Sequence, residues 1–504
     1  MCEPRPFRPL LLVTLMAGLA GAVWAAPTCD AEGADLEAVA AARRAVEVAC
    51  ECDGFSFHGD YVACARRATA AEVAADRLSD GCARFVRRIA RRSTCSYKRP
   101  KVVCCEERAR DGRLGCKVAA AARCVSGDAA TRSACATTRF CADTRCDAPA
   151  PPAPCEPELL YSSEGNRLRR FDVDTIRRPP LAEDILIERA SLGGLDINGQ
   201  ICRLPDGSGR FVAGEDTGQP AIPPGFGVFD ATGVRVGKLV PTFQTQLPGA
   251  TSNDEPFGCA FDADGRLFTS DVGNQASGPG NGQLLVWFPP YDRFPGAPGT
   301  FPNADRSTSF CKLAIDIATA GSVAVDPEGR VYVASARGAA VYRFSPPFPT
   351  APDAAGGCGG TDALGSPVAD MVTKETFVAG GVFSGIVRSA RNTWFIGTVL
   401  TGTIQEYDVN GALLRGILVP AANEPGLPLS VGHPQGLALD CTGDLYYADL
   451  QLTLSGGGIG PGPNGKVRRI PFDVCNEPGA NVIVKEGLAF PDGLGIAPGD
   501  LETP

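Results

Sequence analysis

Twenty-one cysteines and only two histidines bound the chemistry that this 504-residue chain can carry. Cys2 falls at the extreme N-terminus, ahead of an apolar run, and the other 20 make an even number. Thiolate zinc modules draw their ligands from closely spaced pairs, yet no Cys-x-x-Cys occurs, and imidazole could come only from His58 or His433. The cysteines therefore read as disulfides. A serine triad is equally poorly supplied, because there is no Gly-x-Ser-x-Gly elbow and the only base in the larger C-terminal part is His433, held in VGHPQG before a proline. It reads as a loop histidine. Asp262, Asp326 and Asp440 recur at one place in a repeated hairpin and read as turn residues whose carboxylates accept backbone N–H groups. Asp492, in a Pro-Asp-Gly bend, admits the same reading.

The elements that must position these residues divide the chain. Arg5 and Arg8 precede an apolar run from Leu10 to Trp24, and Val23 and Ala25 supply small residues. Residues 1–25 are expected to be a secretory signal peptide cleaved after Ala25. No comparable apolar run follows, so the expected protein is secreted, extracellular or periplasmic, with no transmembrane anchor. Residues 26–146 form a cysteine-rich, mostly helical domain, residues 147–157 (DAPAPPAPCEP) a semi-rigid proline-rich linker, and residues 158–504 a larger β domain.

In the small domain, Thr69 with Glu72 suggests a capping box. Cys82, Phe85, Val86 and Ile89 then place an apolar stripe on a helix ending near Arg92, Ala34 to Cys50 is a second helix, and KVVCCEERARDGRLGCKV two strands around a turn. Charge is unevenly shared. The whole chain carries −9, but Pro27 to Cys155 has 21 Lys or Arg against 17 Asp or Glu, and Arg77 to Lys117 alone has 13 against 4. That segment is a candidate site for an anionic polymer (surface polysaccharide, nucleic acid or lipid head groups) or a solvated helix face docked on the acidic β domain.

The β domain repeats. ICRLPDGSGRFVAGED, PFGCAFDADGRLFTSDV, GSVAVDPEGRVYVASA, SGIVRSARNTWFIGTV and PQGLALDCTGDLYYADL each read as a hairpin, and GFGVFD, GQLLVWF, AAVYRFS, GTIQEYD and GKVRRIP supply third strands. The closing PDGLGIAPGD is an innermost strand without its partner, whereas the domain opens on ELLYSSEGNRLRRFDVDT without an innermost strand. The expected fold is mainly β: a six-bladed β-propeller closed by pairing of its N- and C-terminal strands, preceded by the small disulfide-rich domain. Within it, Cys202–Cys259, Cys311–Cys358 and Cys441–Cys475 are the expected disulfides. The Gly/Pro-rich insertions NQASGPGNGQ and LSGGGIGPGPNG fall between second and third strands, where they either shape a binding surface or merely decorate one rim.

PQGLALDCTGDLYYAD, GSVAVDPEGRVYVASA and FPDGLGIAPGD resemble the repeats of NHL-type propellers and of the senescence-marker/gluconolactonase family. The resemblance covers Glu158 to about Asp500 and implies a divalent metal in the central channel, held by a glutamate, an asparagine and an aspartate from different blades. The matching positions are Gln200, Phe257, Gly321, Ser384, Gln435 and Asp492, of which only Asp492 keeps the ligand type. Asn198 and Asn253 lie a few residues upstream, so Asp492, Asn253 and Asn198 are the candidate metal ligands. The implied cofactor is none, or a weakly bound calcium-like cation. Two functions follow: an exported non-catalytic propeller that binds a ligand or partner, with the cysteine-rich domain as a docking module, or a metal-dependent lactonase-like hydrolase with a degenerate ligand set.

Overall fold

A computed structural model of the chain describes Cys29 and residues 35–107, 114–125, 132–135, 138–144, 146, 158–178, 180–216, 225–240, 255–273, 282–292, 309–361, 367–369, 372–421, 424, 426–455 and 458–498. The expected signal peptide and linker and Asn253 lie outside the described residues, as does all of the NQASGPGNGQ insertion but its last two residues.

Three helices, α1 (Leu36–Ala49), α2 (His58–Ala74) and α3 (Asp80–Arg91), open the small domain. Val39, Ala42 and Val46 of α1 recur at helical spacing and pack with Tyr61 and Ala65 of α2 and Cys82, Ala83 and Val86 of α3. Disulfides Cys29–Cys82, Cys50–Cys64 and Cys52–Cys95 staple this small core. The capping expectation is corrected. Thr69 lies inside α2, its hydroxyl donating to Ala65 O at 2.6 Å, and Glu72 is taken by Arg77. Asp76, in the left-handed region at φ 54°, lies between the two helices, and Ser79 caps α3 by accepting from Cys82 N–H. Strands Val102–Glu107 and Leu114–Ala119 pair antiparallel as expected, and Arg132–Cys135 joins them. Cys104–Cys124, Cys105–Cys146 and Cys116–Cys141 tie this sheet to its surroundings.

From residue 158 the described chain is mostly strand. Runs rich in Val, Ile, Phe and Tyr alternate with Asp/Gly turns, and the turn aspartates act as the sequence suggests: Asp262 Oδ1 accepts from Asp264 and Arg266 N–H, and Asp440 Oδ1 from Thr442 and Asp444 N–H. Six sheets of successive antiparallel strands result. Sheet 1 is Asp196–Arg203, Phe211–Asp216, Gly225–Phe229 and Arg235–Leu239; sheet 2 is Pro256–Phe261, Leu267–Asp271, Gly282–Trp287 and Phe310–Ile317, with two short added strands. Sheet 3 is Val323–Val325, Val331–Ser335, Ala340–Ser345 and Thr373–Ala379; sheet 4 is Phe383–Arg388, Trp394–Thr398, Thr403–Tyr407 and Leu413–Leu418. Sheet 5 is Pro434–Leu439, Leu445–Asp449, Gly465–Ile470 and Val482–Leu488. Sheet 6 joins the ends of the domain, Gly493–Pro498 pairing with Glu158–Ser163 and followed by Arg167–Asp172 and Glu183–Glu188.

Alternation along each strand decides what packs where. Tyr446 and Tyr447 are neighbours on sheet 5 and both fully buried; Tyr446 packs with Leu160 and Phe171 of sheet 6, Tyr447 with Phe395 and Ile404 of sheet 4. Equivalent apolar clusters lie between sheets 1 and 2, 2 and 3, 3 and 4, and 6 and 1. The domain is a β-propeller whose core is divided among these interfaces, and truncating one such aromatic to Ala costs about 3–5 kcal/mol.

Within each sheet the first strand starts and the second ends at one rim, and the turns between first and second and between third and fourth strands lie at the opposite rim. The small domain attaches at the latter. Arg44 pairs with Asp408 in the third turn of sheet 4, and Cys135 is disulfide-bonded to Cys475 in the third turn of sheet 5. The expected Cys441–Cys475 bond is therefore corrected. Those residues sit in turns about two strand spacings apart, roughly 10 Å, beyond a disulfide's Cα reach of about 7 Å. Cys441 is bonded to a partner outside the described residues. Cys202–Cys259 and Cys311–Cys358 form as expected.

Candidate functional site

The candidate site is the rim where the innermost strands begin. There the register sets Gly493 against Ser163, Ile197 against Glu215, Pro256 against Asp271, Phe383 against Thr398 and Pro434 against Asp449. A bulge follows in four of the innermost strands, at Asn198/Ile201, Pro256/Cys259, Phe383/Ile386 and Pro434/Leu437. Bulges re-aim side chains, and these fall on the positions that the sequence aligns. Glycines let successive strands touch at this level. A Cβ at Gly493 would run into Gly199 O, one at Gly199 into Phe257, and one at Gly436 into Gly493.

The side chains at the aligned positions are largely spent on holding strands together. Gln200 Oε1 accepts from Val323 N–H at 2.6 Å and Cys259 N–H at 3.2 Å, while its Nε2 donates to Val323 O, so one amide clamps three innermost strands. Ser384 Oγ donates to Pro434 O at 2.8 Å. Phe257 is buried, and Gly321 and Gln435 are half-buried.

Asp492 is 1% exposed, and its Oδ1 accepts from Ser163 Oγ at 2.7 Å and Gly199 N–H at 3.2 Å. Burial pushes its carboxyl up to about 8, the two hydrogen bonds opposing and the Glu255 charge adding to the rise. The group is therefore mostly protonated at neutral pH. Asn198, the residue preceding Gly199, is buried; Asn198 Oδ1 and Asp492 Oδ2 have no hydrogen-bond partner among the described residues. Glu255 was missed by the sequence reading. Its signal is positional, two residues ahead of Phe257 as Asn198 is two ahead of Gln200.

These groups fit a resident divalent ion poorly. A calcium-like ion takes 6–8 oxygens, several of them charged, whereas the described ligand candidates offer one amide oxygen and one carboxyl that holds its proton. A cavity of about 10 Å³ lies between sheets 6 and 1, lined by Tyr161, Ile201, Phe211 and Ala497 among others, but does not reach Asp492.

His433 is fully buried; its Nδ1 accepts from Leu452 N–H at 2.9 Å, leaving Nε2 without a partner among the described residues. Burial pulls its imidazole below the ordinary value, against the attraction of Asp449 and Glu424. Asp449 in turn accepts from His433 and Gln451 N–H and from Arg468 Nε at 2.8 Å. On sheet 1, Glu215 binds Lys238 at 2.6 Å with both side chains wholly buried, and Arg235 at 2.6 Å. Asp449 and Glu215 are thus neutralised from within.

No family model matches the chain. No curated protein matches it either. Among solved structures, the chain is similar to one in the nidogen/laminin complex, at 12% identity over 68% of this chain and 98% of that one, with a TM-score of 0.40. Regucalcin, a calcium-binding protein from Agrobacterium tumefaciens, matches at 16% identity over 58% and 82%, with a TM-score of 0.35. A gluconolactonase from Xanthomonas campestris matches at 14% identity over 58% and 84%, with a TM-score of 0.35.

Proposed function

We propose that this chain is an exported, closed six-bladed propeller of the NHL/gluconolactonase-like type that binds a ligand or partner without catalysis, using the rim where its innermost strands begin. The small domain is its docking module. Closure is supported by the pairing of Gly493–Pro498 with Glu158–Ser163 and by apolar clusters at all six sheet interfaces. Export is supported by the dense disulfides, and no helix among the described residues is long and apolar enough to cross a membrane.

The observation that carries the non-catalytic reading is the state of Asp492. The one aligned carboxyl is a buried acid tying sheet 6 to sheet 1, and at the same level Gln200 and Ser384 are clamps and Phe257 is buried. The module attaches at the opposite rim and so leaves the rim where the innermost strands begin uncovered. The hydrolase reading draws on one specific feature, Asp492 Oδ2 and Asn198 Oδ1 without a partner among the described residues, with the Glu255 charge acting on Asp492. Elemental analysis of the purified mature protein separates the two. The binding reading expects no stoichiometric metal after dialysis; one equivalent of calcium, zinc or manganese that Asp492→Ala removes would favour the hydrolase.

A further inference from the structure

The basic segment of the small domain reads differently once folded. On α3, Arg84, Arg88 and Arg91 are exposed and form no ion pair among the described residues, so this face is solvated rather than docked on the propeller. Just beyond it, the chain order Tyr97-Lys98-Arg99-Pro100-Lys101 meets the start of α2. Lys98 Nζ lies 4.3 Å from the centre of the Phe57 ring, Lys101 Nζ 5.6 Å from that of Tyr97, and His58 stacks on Tyr97 at 4.3 Å with the rings 13° apart. Phe57 is 51% exposed and Tyr97 37%. Lys98, Arg99 and Lys101 form no ion pair among the described residues; of the two acids flanking Cys52, Asp53 pairs with Arg139, while the exposed Glu51 forms no ion pair among them.

The patch is held rigid. Cys52–Cys95 anchors it, His58 Nδ1 bonds Cys95 O at 2.8 Å, and Ser96, in the left-handed region at φ 55°, donates its hydroxyl to Cys52 O at 2.5 Å. A preordered surface loses little entropy on binding.

We propose that Phe57, His58, Tyr97, Lys98, Arg99 and Lys101 form a binding platform for an acidic polysaccharide. Two features choose this class among polyanions. One face of each ring is already in use, Phe57 under an ammonium and Tyr97 against His58, which leaves less ring surface for the stacking of bases that single-strand binding needs. The same contacts pin the rings flat beneath charged groups, which opposes their insertion into an acyl layer. What remains is a fixed array of cations with ring edges between them, matching a chain of pendant carboxylates or sulfates on an apolar C–H surface. The platform is independent of whatever the rim binds.

The test uses the full mature chain, with heparin and alginate as probes, against single-stranded DNA and phosphatidylglycerol vesicles. Salt-sensitive binding to at least one polysaccharide is expected, reduced about tenfold or more in Lys98→Glu/Lys101→Glu and clearly in Lys98→Gln/Lys101→Gln, whereas Arg337→Glu on the propeller changes it by less than about twofold. Unchanged melting of the variants confirms folding. Equal losses in Arg337→Glu, tighter binding to DNA or vesicles than to either polysaccharide, or binding to none of the probes overturns the proposal.

Discussion

Asp492 and Ser163, 329 residues apart, are joined by a 2.7 Å hydrogen bond that the serine hydroxyl donates to the carboxyl Oδ1. The bond crosses the seam where the first and last strands of the propeller pair, and the same oxygen reaches Gly199 on the next sheet. The residue that the sequence reading marks as a candidate metal ligand is here part of the seam.

That placement has a pH signature. The folded carboxyl titrates near 8 and an unfolded aspartate near 4, so only the folded state holds the proton between them. Its contribution to stability is complete below about pH 4 and is lost as pH rises through about 8, by at most ~1.4 kcal/mol per unit. Asp492→Asn copies the neutral acid, so the variant should gain on the order of a few kcal/mol over the parent between pH 4 and 8. Urea midpoints across that range measure it. An unchanged slope in the variant would mean that Asp492 is ionised in the folded protein.

Closure predicts a global response to a local cut. Deleting Pro491 to Pro504 removes the innermost strand of sheet 6, which pairs with Glu158–Ser163 and packs against two other sheets. Cooperative unfolding should disappear. Gly493→Ala, which drives a Cβ into Gly199 O, should lower the melting temperature far more than Gly458→Ala, whose Cβ meets nothing. Parental melting of the truncated chain would refute closure.

The turn aspartates, the strand repeats and the meeting of the two chain ends were legible because each is local or complementary: an Asx turn needs only the residues that it bonds, and ELLYSS and PDGLGI each lack what the other supplies. That the Glu255 charge acts on Asp492 was not legible, since one precedes the first strand of sheet 2 and the other that of sheet 6. Nor was Gln200 as a clamp, because its acceptors and donors lie on strands 59 and 123 residues away. Cys135–Cys475 spans 340 residues and follows from domain docking, which no spacing rule encodes. Ser79 displaced Thr69 as the cap because α2 runs on through Thr69, which lies buried inside it.

That inter-domain disulfide can be isolated. A protease site introduced at residues 147–154 should, after cleavage, leave both fragments in one non-reduced band, parting in Cys135→Ser/Cys475→Ser. Alkylation of the parent without reductant should add no label. Separation of parental fragments without reductant would contradict the bond.

The Glu215–Lys238 pair should behave as a buried ion pair. Glu215→Gln leaves Lys238 charged and enclosed, at a cost of about 3–5 kcal/mol, because burial already holds that ammonium below its usual value. Chemical denaturation reads the loss, and a change under ~1 kcal/mol would show that the pair is hydrated.

The central claim, a propeller that binds without catalysing, is tested most directly by assaying simple sugar lactones with the purified mature protein and added calcium, zinc or manganese. Hydrolysis at the background rate is the predicted result, alike for the parent and Asp492→Ala. Metal-dependent turnover that Asp492→Ala abolishes would contradict the account and make Asp492, Asn198 and Glu255 the place to look for the ion.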